Sequence, residues 1–156
     1  MKALLKKIFQ NKKISSVKNL KFQDLKNNTG VHKIFTAINN HNEISEVRYI
    51  GGCVRKVLND EKTDDIDLAT NLTPGQVKEC LDKNHIKFFE TGIEHGTITA
   101  AIDHQNFEIT TLRKDVKTDG RHAVVEYTTN WKEDSLRRDF SINSIYSDLD
   151  GNLYDP

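Results

Sequence analysis

The chain is poor in the features that mark secreted, membrane-spanning and metal-scaffolded proteins. Of its 156 residues only Cys53 and Cys80 are cysteine, and their separation is not that of a metal site. No apolar run approaches the ~20 residues that a membrane span needs. The first ten residues are basic and amphipathic, without the apolar stretch and cleavage site of a secretory signal. We therefore expect a cytoplasmic protein with reduced thiols and no membrane partner, a mitochondrial transit peptide being the alternative.

The sequence also lacks the patterns typical of an acyl-transfer site, a histidine metal site and a repeat protein. No nucleophile and base are arranged for acyl transfer, and the six histidines show no pairing typical of a metal site. Only His95, in Thr-Gly-Ile-Glu-His-Gly-Thr at 91–97, is singled out as a histidine of interest. Internal repeats and low-complexity linkers are absent. The length and the 36% apolar fraction fit one domain with a real core.

Charge is unevenly distributed along the chain. Residues 1–42 contain nine lysines and one acid, Asp24, for a net charge of +8, and the net charge of the whole is zero. We therefore divide the chain into a basic N-terminal segment at 1–30 and a folded domain at 31–156. A basic end can reach toward a polyanion such as RNA, and the alternative is a solvated, partly frayed terminus.

Hydrophobic spacing predicts a mixed α/β fold. Helices are expected at 31–41, 53–58, 74–84 and 132–146, and strands at 47–50, 65–70, 86–89, 96–102, 107–112 and 124–128. Thr73 should cap the third helix, with Pro74 in its first turn. The polar stretch 114–121 is expected to be a mobile loop, and Asp150-Gly151 a tight turn.

Two aspartates separated by one residue, Asp65 and Asp67, are the most informative feature. On a strand their side chains would point the same way. Like charges so close repel unless a cation lies between them. Oxygen ligands favour Mg²⁺, which usually completes its shell with substrate phosphates. An Asp-rich stretch can also be a solvated turn, but the β-forming continuation Ile-Asp-Leu-Ala-Thr favours a strand.

A glycine pair precedes the aspartates. Gly51 and Gly52 follow a predicted strand and open a helix, where backbone N–H groups can cradle an anion. Arg55 lies on the first turn of that helix and could bind a phosphate. A glycine pair after a strand is more often only a tight turn, and the aspartates downstream are what favour the functional interpretation.

Two further clusters complete the candidate site. Glu108, inside an apolar strand, is the best third carboxylate, with a water-facing strand-edge position as an equal alternative. Arg137 and Arg138 can neutralise a triphosphate through bidentate hydrogen bonds. Asp139 could orient one arginine or accept from a ribose hydroxyl, and Asn143 closes the same run, which we assign to nucleotide binding.

These residues resemble class II tRNA nucleotidyltransferases, the CCA-adding enzymes, which share a superfamily with bacterial poly(A) polymerases. The resemblance covers roughly 31–156 and rests on motifs in the same order: Gly-Gly-Cys-Val-Arg (51–55), Asp-Ile-Asp-Leu-Ala-Thr (65–70), Thr-Gly-Ile-Glu-His-Gly-Thr (91–97), Glu-Ile-Thr-Thr-Leu-Arg (108–113), Asp-Gly-Arg-His-Ala (119–123) and Arg-Arg-Asp-Phe-Ser-Ile-Asn (137–143). It implies the head domain of the polymerase-β-like nucleotidyltransferase fold, a mixed sheet with helices packed on it.

The resemblance also implies roles. Asp65 and Asp67 would bind Mg²⁺, and Gly52, Arg55 and Arg138 would contact the incoming triphosphate. The stretch 114–121 matches a flexible loop thought to help the switch between C and A addition. Lys56 stands where the family usually has an acid, which should weaken local ion pairing. The family's neck, body and tail domains have no counterpart in the chain, so we expect a truncated product, one half of a split enzyme or a chain that needs a partner.

The expected function is Mg²⁺-dependent, template-independent transfer from CTP and ATP to the 3′ end of tRNA. The nearest rivals are a poly(A) polymerase and enzymes that add only CC or only A. A hypothesis of another class is a non-catalytic nucleotide-binding fragment, motivated by the missing neck.

Overall fold

A seven-stranded mixed sheet organises the molecule. The computed structural model describes residues 21–63, 65–116, 124–138 and 141–156. The helices are α1 (Gln23–Lys26), α2 (Thr29–Asn39), α3 (Gly52–Leu58), α4 (Pro74–Lys83) and α5 (Trp131–Leu136). The strands are β1 (Val47–Ile50), β2 (Ile66–Thr70), β3 (Lys87–Gly92), β4 (Thr97–Ile102), β5 (Gln105–Thr111), β6 (Arg113–Val116), β7 (Val124–Tyr127), β8 (Tyr146–Ser147) and β9 (Leu153–Tyr154). Short 3₁₀ turns lie at Ile93–His95 and Ser141–Ser144.

The sheet has the order β3-β4-β5-β2-β1-β8-β9, and β6 and β7 form a separate two-stranded ribbon. Only the β2–β5 pair is parallel; the other pairs of described strands are antiparallel. Parallel pairing needs a crossover connection, which here runs through α4 and the β3–β4 hairpin. The prediction of a mixed α/β fold is confirmed.

One face of the sheet is covered by helices and carries most of the core. Because strand side chains alternate, Tyr49, Leu68, Phe107 and Ile109 point to this face, and each is fully buried. They pack with apolar side chains of α2, α3 and α4 in a single cluster. The opposite face carries Asp67 and Glu108, so the polar alternation of β2 and β5 places both carboxylates on the face that the three helices leave open.

The helices begin where local capping predicts. The side chain of Asn28 accepts a hydrogen bond from the backbone of Val31 at the start of α2. Thr73 and Gln76 form a reciprocal capping box before α4, with Pro74 at its first position. The predicted α2, α3 and α4 are confirmed with ends shifted by at most two residues, and α3 begins after Gly51 without a side-chain cap.

Residues just before α2 belong to the same core. Phe22 and Leu25 are buried, and the Phe22 ring centroid lies 5.9 Å from that of Tyr49. Lys21 and Lys26 form ion pairs with Asp60 and Asp150. The rest of the basic segment, residues 1–20, lies outside the described residues.

Three sequence-based predictions are corrected. The helix expected at 132–146 ends at Leu136, because Tyr146 instead pairs with Ile50 as strand β8. The loop expected at 114–121 begins as strand, since Lys114 to Val116 pair with β7; residues 117–123 lie outside the described residues. The strand at 65–70 begins at Ile66, so Asp65 lies just before it.

Two observations concern the predictions of reduced thiols and of no membrane partner. Cys53 and Cys80 are free and buried, and burial raises the pKa of the Cys53 thiol to about 12, which keeps it unreactive. Among the helices that the structure describes, none combines the length and apolarity that crossing a bilayer requires.

Candidate active site

Asp67 and Glu108 are direct neighbours on the open face of the sheet. They are partners in the parallel register of β2 and β5. Asp67 is half-buried and Glu108 is exposed. Asp65 is exposed at the entrance to β2, two residues before Asp67. Of the alternative, a water-facing Glu108 at a sheet edge, the edge position is excluded because β5 lies between β4 and β2, whereas the side chain is exposed.

The carboxylates of this group carry unbalanced negative charge. Burial raises the pKa of Asp67 above its ordinary value, and the charges of Glu108 and Asp65 raise it further. Arg138 and Lys56 act in the opposite direction without cancelling these effects. Lys56, the residue that departs from the resembled family, thus lies near the carboxylates. A raised pKa from neighbouring carboxylates is the electrostatic mark of a site that favours a cation.

The donor set fits magnesium. Among the described residues no three His, Cys, Asp or Glu side chains form a closed metal cluster. Mg²⁺ does not need one, because it commonly takes one or two protein carboxylates and fills its shell with water and substrate phosphates. Asp67, with Asp65 or Glu108 beside it, provides that set.

The glycine turn borders the carboxylates. Gly51 adopts φ 73°, a conformation that favours glycine, and its carbonyl accepts the first helical hydrogen bond, from Arg55 N at 3.2 Å. Arg55 folds back over the turn, with Nη2 3.8 Å from the place where a Cβ on Gly52 would lie. The strand–turn–helix element is therefore confirmed as a structure.

Arg113, Arg137 and Arg138 form what we call the arginine wall, and a residue that the sequence-based predictions missed organises it. Asp134 in α5 is completely buried and accepts hydrogen bonds from Arg137 Nε at 3.1 Å and Arg138 Nη2 at 3.0 Å. Arg113, at the start of β6, donates its backbone N–H to the same carboxylate at 3.1 Å. The i, i+3, i+4 spacing of Asp134, Arg137 and Arg138 was the available signal.

Both walls face one cleft of about 260 Å³. Its lining residues are Ile50, Gly51, Asp67, Leu68, His95, Thr97, Glu108, Thr110, Arg113, Arg137 and Arg138. The carboxylates Asp67 and Glu108, which we call the acidic wall, thus line the same cleft as the arginines and the glycine turn. A ligand that carries both a metal ion and several phosphates has the complementary charge pattern.

A scan against protein-family models matches residues 47–156 to the Poly A polymerase head domain. The chain belongs to the Poly A polymerase head domain family. The predicted family membership is confirmed, and so is the predicted fold, because solved neighbours of this head domain are CCA-adding enzymes.

Curated relatives of this head domain are named as CCA-adding enzymes. Human CCA tRNA nucleotidyltransferase 1, mitochondrial, is 53% identical over 114 residues, which are 72% of this chain and 26% of the relative. The CCA-adding enzyme of Lactobacillus johnsonii is 37% identical over 112 residues, 70% of this chain and 27% of the relative. The chain spans about a quarter of the length of these relatives.

Solved structures similar to this head domain carry the same kind of name as the curated relatives. The Bacillus stearothermophilus CCA-adding enzyme in complex with CTP matches 87% of this chain and 30% of its own, with a TM-score of 0.67 and 28% identity. A tRNA nucleotidyltransferase complexed with a primer tRNA and an incoming ATP analogue matches 72% of this chain and 31% of its own, with a TM-score of 0.55 and 25% identity.

Not every candidate residue of this head domain reaches the cleft. Gly51, Asp67, Glu108, Arg137 and Arg138 line it, together with His95. As far as the described residues define the lining, the following lie outside it: Gly52, Arg55, Asp65 and Asn143. Asp139 lies outside the described residues. Arg113 lines the cleft, although the sequence analysis gave it no role.

A larger cleft of about 500 Å³ lies elsewhere in the head domain, between α2 and the β3–β4 hairpin. Its polar lining mixes His32, His85, Lys33, Lys87 and Asp103. The smaller cleft is the better candidate because its lining combines Asp67 and Glu108 with three arginines and the Gly51 turn.

Proposed function

We propose that the chain supplies the nucleotidyl-transfer site of a CCA-adding tRNA nucleotidyltransferase. The site transfers nucleotides from CTP and ATP to the 3′ end of tRNA and depends on Mg²⁺. The observation that carries this proposal is the cleft itself, in which the registered pair Asp67 and Glu108 faces Arg137 and Arg138. The names of the relatives supply the reaction and the substrates.

The chain's own residues would divide the work between the two walls. Asp67, assisted by Asp65 and Glu108, would hold Mg²⁺, which when bound lowers the pKa of an attacking hydroxyl and stabilises departing pyrophosphate. Arg137 and Arg138 would hold the triphosphate and compensate its charge, as arginine forks do. Gly51 gives the phosphates an approach to backbone that a side chain would obstruct.

The remaining candidate residues complete the proposal. Gly52 and Arg55 would contact the outer phosphates from the turn, because the Arg55 guanidinium already lies over Gly52. Asp139 and Asn143 would bind the nucleotide. We propose further that a neck, body and tail, on the same or a separate chain, supply base selection and tRNA grip. Cytoplasmic residence stays a prediction; the human relative is named mitochondrial.

A head-swap chimera tests the proposal. In it, this chain's matched residues replace the corresponding region of the human relative, to which they are 53% identical. With Mg²⁺ and tRNA lacking its terminal nucleotides, the chimera should incorporate labelled CTP and ATP. Asp67→Asn should abolish incorporation. The matched control is Asp103→Asn, an exposed turn aspartate at φ 50° that asparagine tolerates.

The reaction products distinguish CCA addition from the alternative activities. Incorporation of A alone on any RNA would favour a poly(A) polymerase, and addition of only CC or only A would favour a partial enzyme. A folded chimera that binds ATP with Mg²⁺ yet transfers nothing would contradict the proposal and support a non-catalytic nucleotide-binding fragment.

A further inference from the structure

Asp134 is a buried carboxylate saturated with donors. Its side chain is 0% exposed and receives five hydrogen bonds. They come from the Arg113 backbone at 3.1 Å, Arg137 Nε at 3.1 Å, Arg138 Nε at 3.2 Å and Nη2 at 3.0 Å, and the Tyr146 hydroxyl at 2.6 Å. A buried charge is costly unless it is paired and hydrogen-bonded, and Asp134 meets both conditions.

The way Asp134 holds the two arginines leaves them facing the cleft. It binds both guanidiniums through Nε, and Arg138 also through Nη2, while both side chains line the cleft. Their exposed fractions are only 13% for Arg137 and 17% for Arg138. Two guanidiniums clamped on their stem side and nearly buried lose little freedom when an anion binds, which is how preorganisation increases affinity.

The charge on this wall remains positive after the pairing. Arg113, Arg137 and Arg138 line the cleft, and Asp134 compensates one of their three charges. The pKa of Arg113 is lowered, first by burial and then by the charge of Arg137, which shows that these cations repel one another. Asp134 is the group that keeps Arg137 and Arg138 together against that repulsion.

We propose that Asp134 is a positioning residue, which presents Arg137 and Arg138 to the triphosphate in a fixed orientation. The proposal rests on the proposed function, since it takes the triphosphate as the ligand of the arginine wall. Asp134 touches no substrate and acts through the arginines. Its bonds to Arg113 and Tyr146 also join α5 to β6 and β8, so the test must separate positioning from folding.

A double-mutant cycle makes that separation. The affinity of the 156-residue chain for inorganic tripolyphosphate without Mg²⁺, and for ATP with Mg²⁺, is measured by calorimetry. Asp134→Asn should weaken both about tenfold, equivalent to the loss of one charge-assisted contact. In a background that carries both Arg137→Gln and Arg138→Gln, the same substitution should change affinity less than twofold, because Asp134 then has no arginine to position. If Asp134→Asn reduced affinity by the same factor with and without the arginine substitutions, the proposal would be overturned.

A matched control keeps the buried carboxylate and its arginines intact. Tyr146→Phe removes the hydroxyl that donates to Asp134 Oδ2, and it keeps both arginines, their carboxylate and the ring beside Arg138. It should lower the melting temperature while leaving tripolyphosphate affinity within twofold. An equal loss of affinity in Tyr146→Phe and Asp134→Asn would mean that Asp134 only stabilises the fold, contrary to the proposal.

A second variant covers the case in which Asp134→Asn does not fold. Arg138→Lys keeps the charge but removes the Nε and Nη2 fork that Asp134 holds. It should bind tripolyphosphate as weakly as Arg138→Gln, and wild-type affinity in Arg138→Lys would overturn the proposal. Failure of the wild-type chain to bind either probe would overturn the proposed function itself, and with it this role for Asp134.

Discussion

Two aspartates at the candidate active site differ in how their charge is compensated: Asp67 lines the cleft, and Asp134 is buried behind the arginines. Asp67 is half-buried beside Glu108 and Asp65, and burial followed by these like charges raises its pKa. Burial alone would raise the pKa of Asp134 too, but Arg138 and the bonds from Tyr146 and Arg113 lower it below the ordinary value. Asp134 is therefore compensated by cationic side chains of the fold, whereas the charge of Asp67 needs a bound cation to compensate it.

This difference separates structural from functional charge. A carboxylate with a full set of donors is favourable in the folded chain and contributes to its stability. A carboxylate placed next to other carboxylates is unfavourable until a ligand arrives, which is typical of functional sites. Two residues of the same type, one lining the cleft and one buried beside it, thus have opposite effects on stability, and their substitutions should behave oppositely.

The largest expected effect concerns catalysis at the uncompensated site. In the head-swap chimera, Asp67→Asn should reduce nucleotide incorporation about 1,000-fold, or about 4 kcal/mol of transition-state stabilisation. Initial rates with labelled CTP measure it, and Asp103→Asn provides the baseline. Retention of more than about a tenth of the rate in Asp67→Asn would remove this residue from the metal site.

The second effect concerns stability at the compensated site. Asp134→Ala should lower the free energy of unfolding of the isolated chain by about 3 kcal/mol, since it leaves two nearly buried arginines without their counter-charge. Urea denaturation followed by circular dichroism measures it. Asp103→Ala, at an exposed turn, should change the same quantity by about 0.5 kcal/mol or less. Equal losses in the two variants would refute the structural role of Asp134.

The third effect is the pH dependence of the stability that Asp134 contributes. Folding favours ionised Asp134, so its contribution is complete above the ordinary carboxyl pKa of about 4 and is lost as pH falls through the lower folded value. The gap in unfolding free energy between wild type and Asp134→Asn should therefore narrow from pH 7 to pH 3. A gap that widens on acidification would contradict the assigned direction.

The smallest effect is a gain in stability at Asp67, in contrast to the loss expected at Asp134. Because the pKa of Asp67 is raised in the folded chain, its ionised form costs stability above the raised value and costs nothing below the ordinary one. In metal-free buffer at pH 7, Asp67→Asn should stabilise the chain by less than about 1 kcal/mol, a modest gain because Asp67 is partly solvated. The gain should vanish at pH 3, and thermal melts at both pH values test it.

Local signals explain what the sequence could predict. The helix that begins after Asn28, the capping box at Thr73 and the turn at Gly51 depend on residues a few positions apart, and these elements form as expected. Asp67 was also identifiable, because a strand pattern surrounds it.

Non-local pairing explains what it could not. The register that brings Glu108 beside Asp67 depends on parallel pairing of distant strands. The helix expected at 132–146 was wrong because Tyr146 pairs with β1, a contact that helical periodicity does not report. Asp134 was overlooked because its burial arises only when β6 and β8 pack around α5, although its spacing to Arg137 and Arg138 was visible.

The most direct test of the contrast is calorimetry with two probes on two variants of the isolated chain. Mg²⁺ titrated in the presence of a non-hydrolysable ATP analogue reports the acidic wall, and tripolyphosphate without metal reports the arginine wall. We expect Asp67→Asn to lose the Mg²⁺ signal and keep tripolyphosphate affinity within twofold, while Asp134→Asn loses about tenfold in tripolyphosphate affinity. If Asp67→Asn bound Mg²⁺ like the wild type, the acidic wall would not be the cation site.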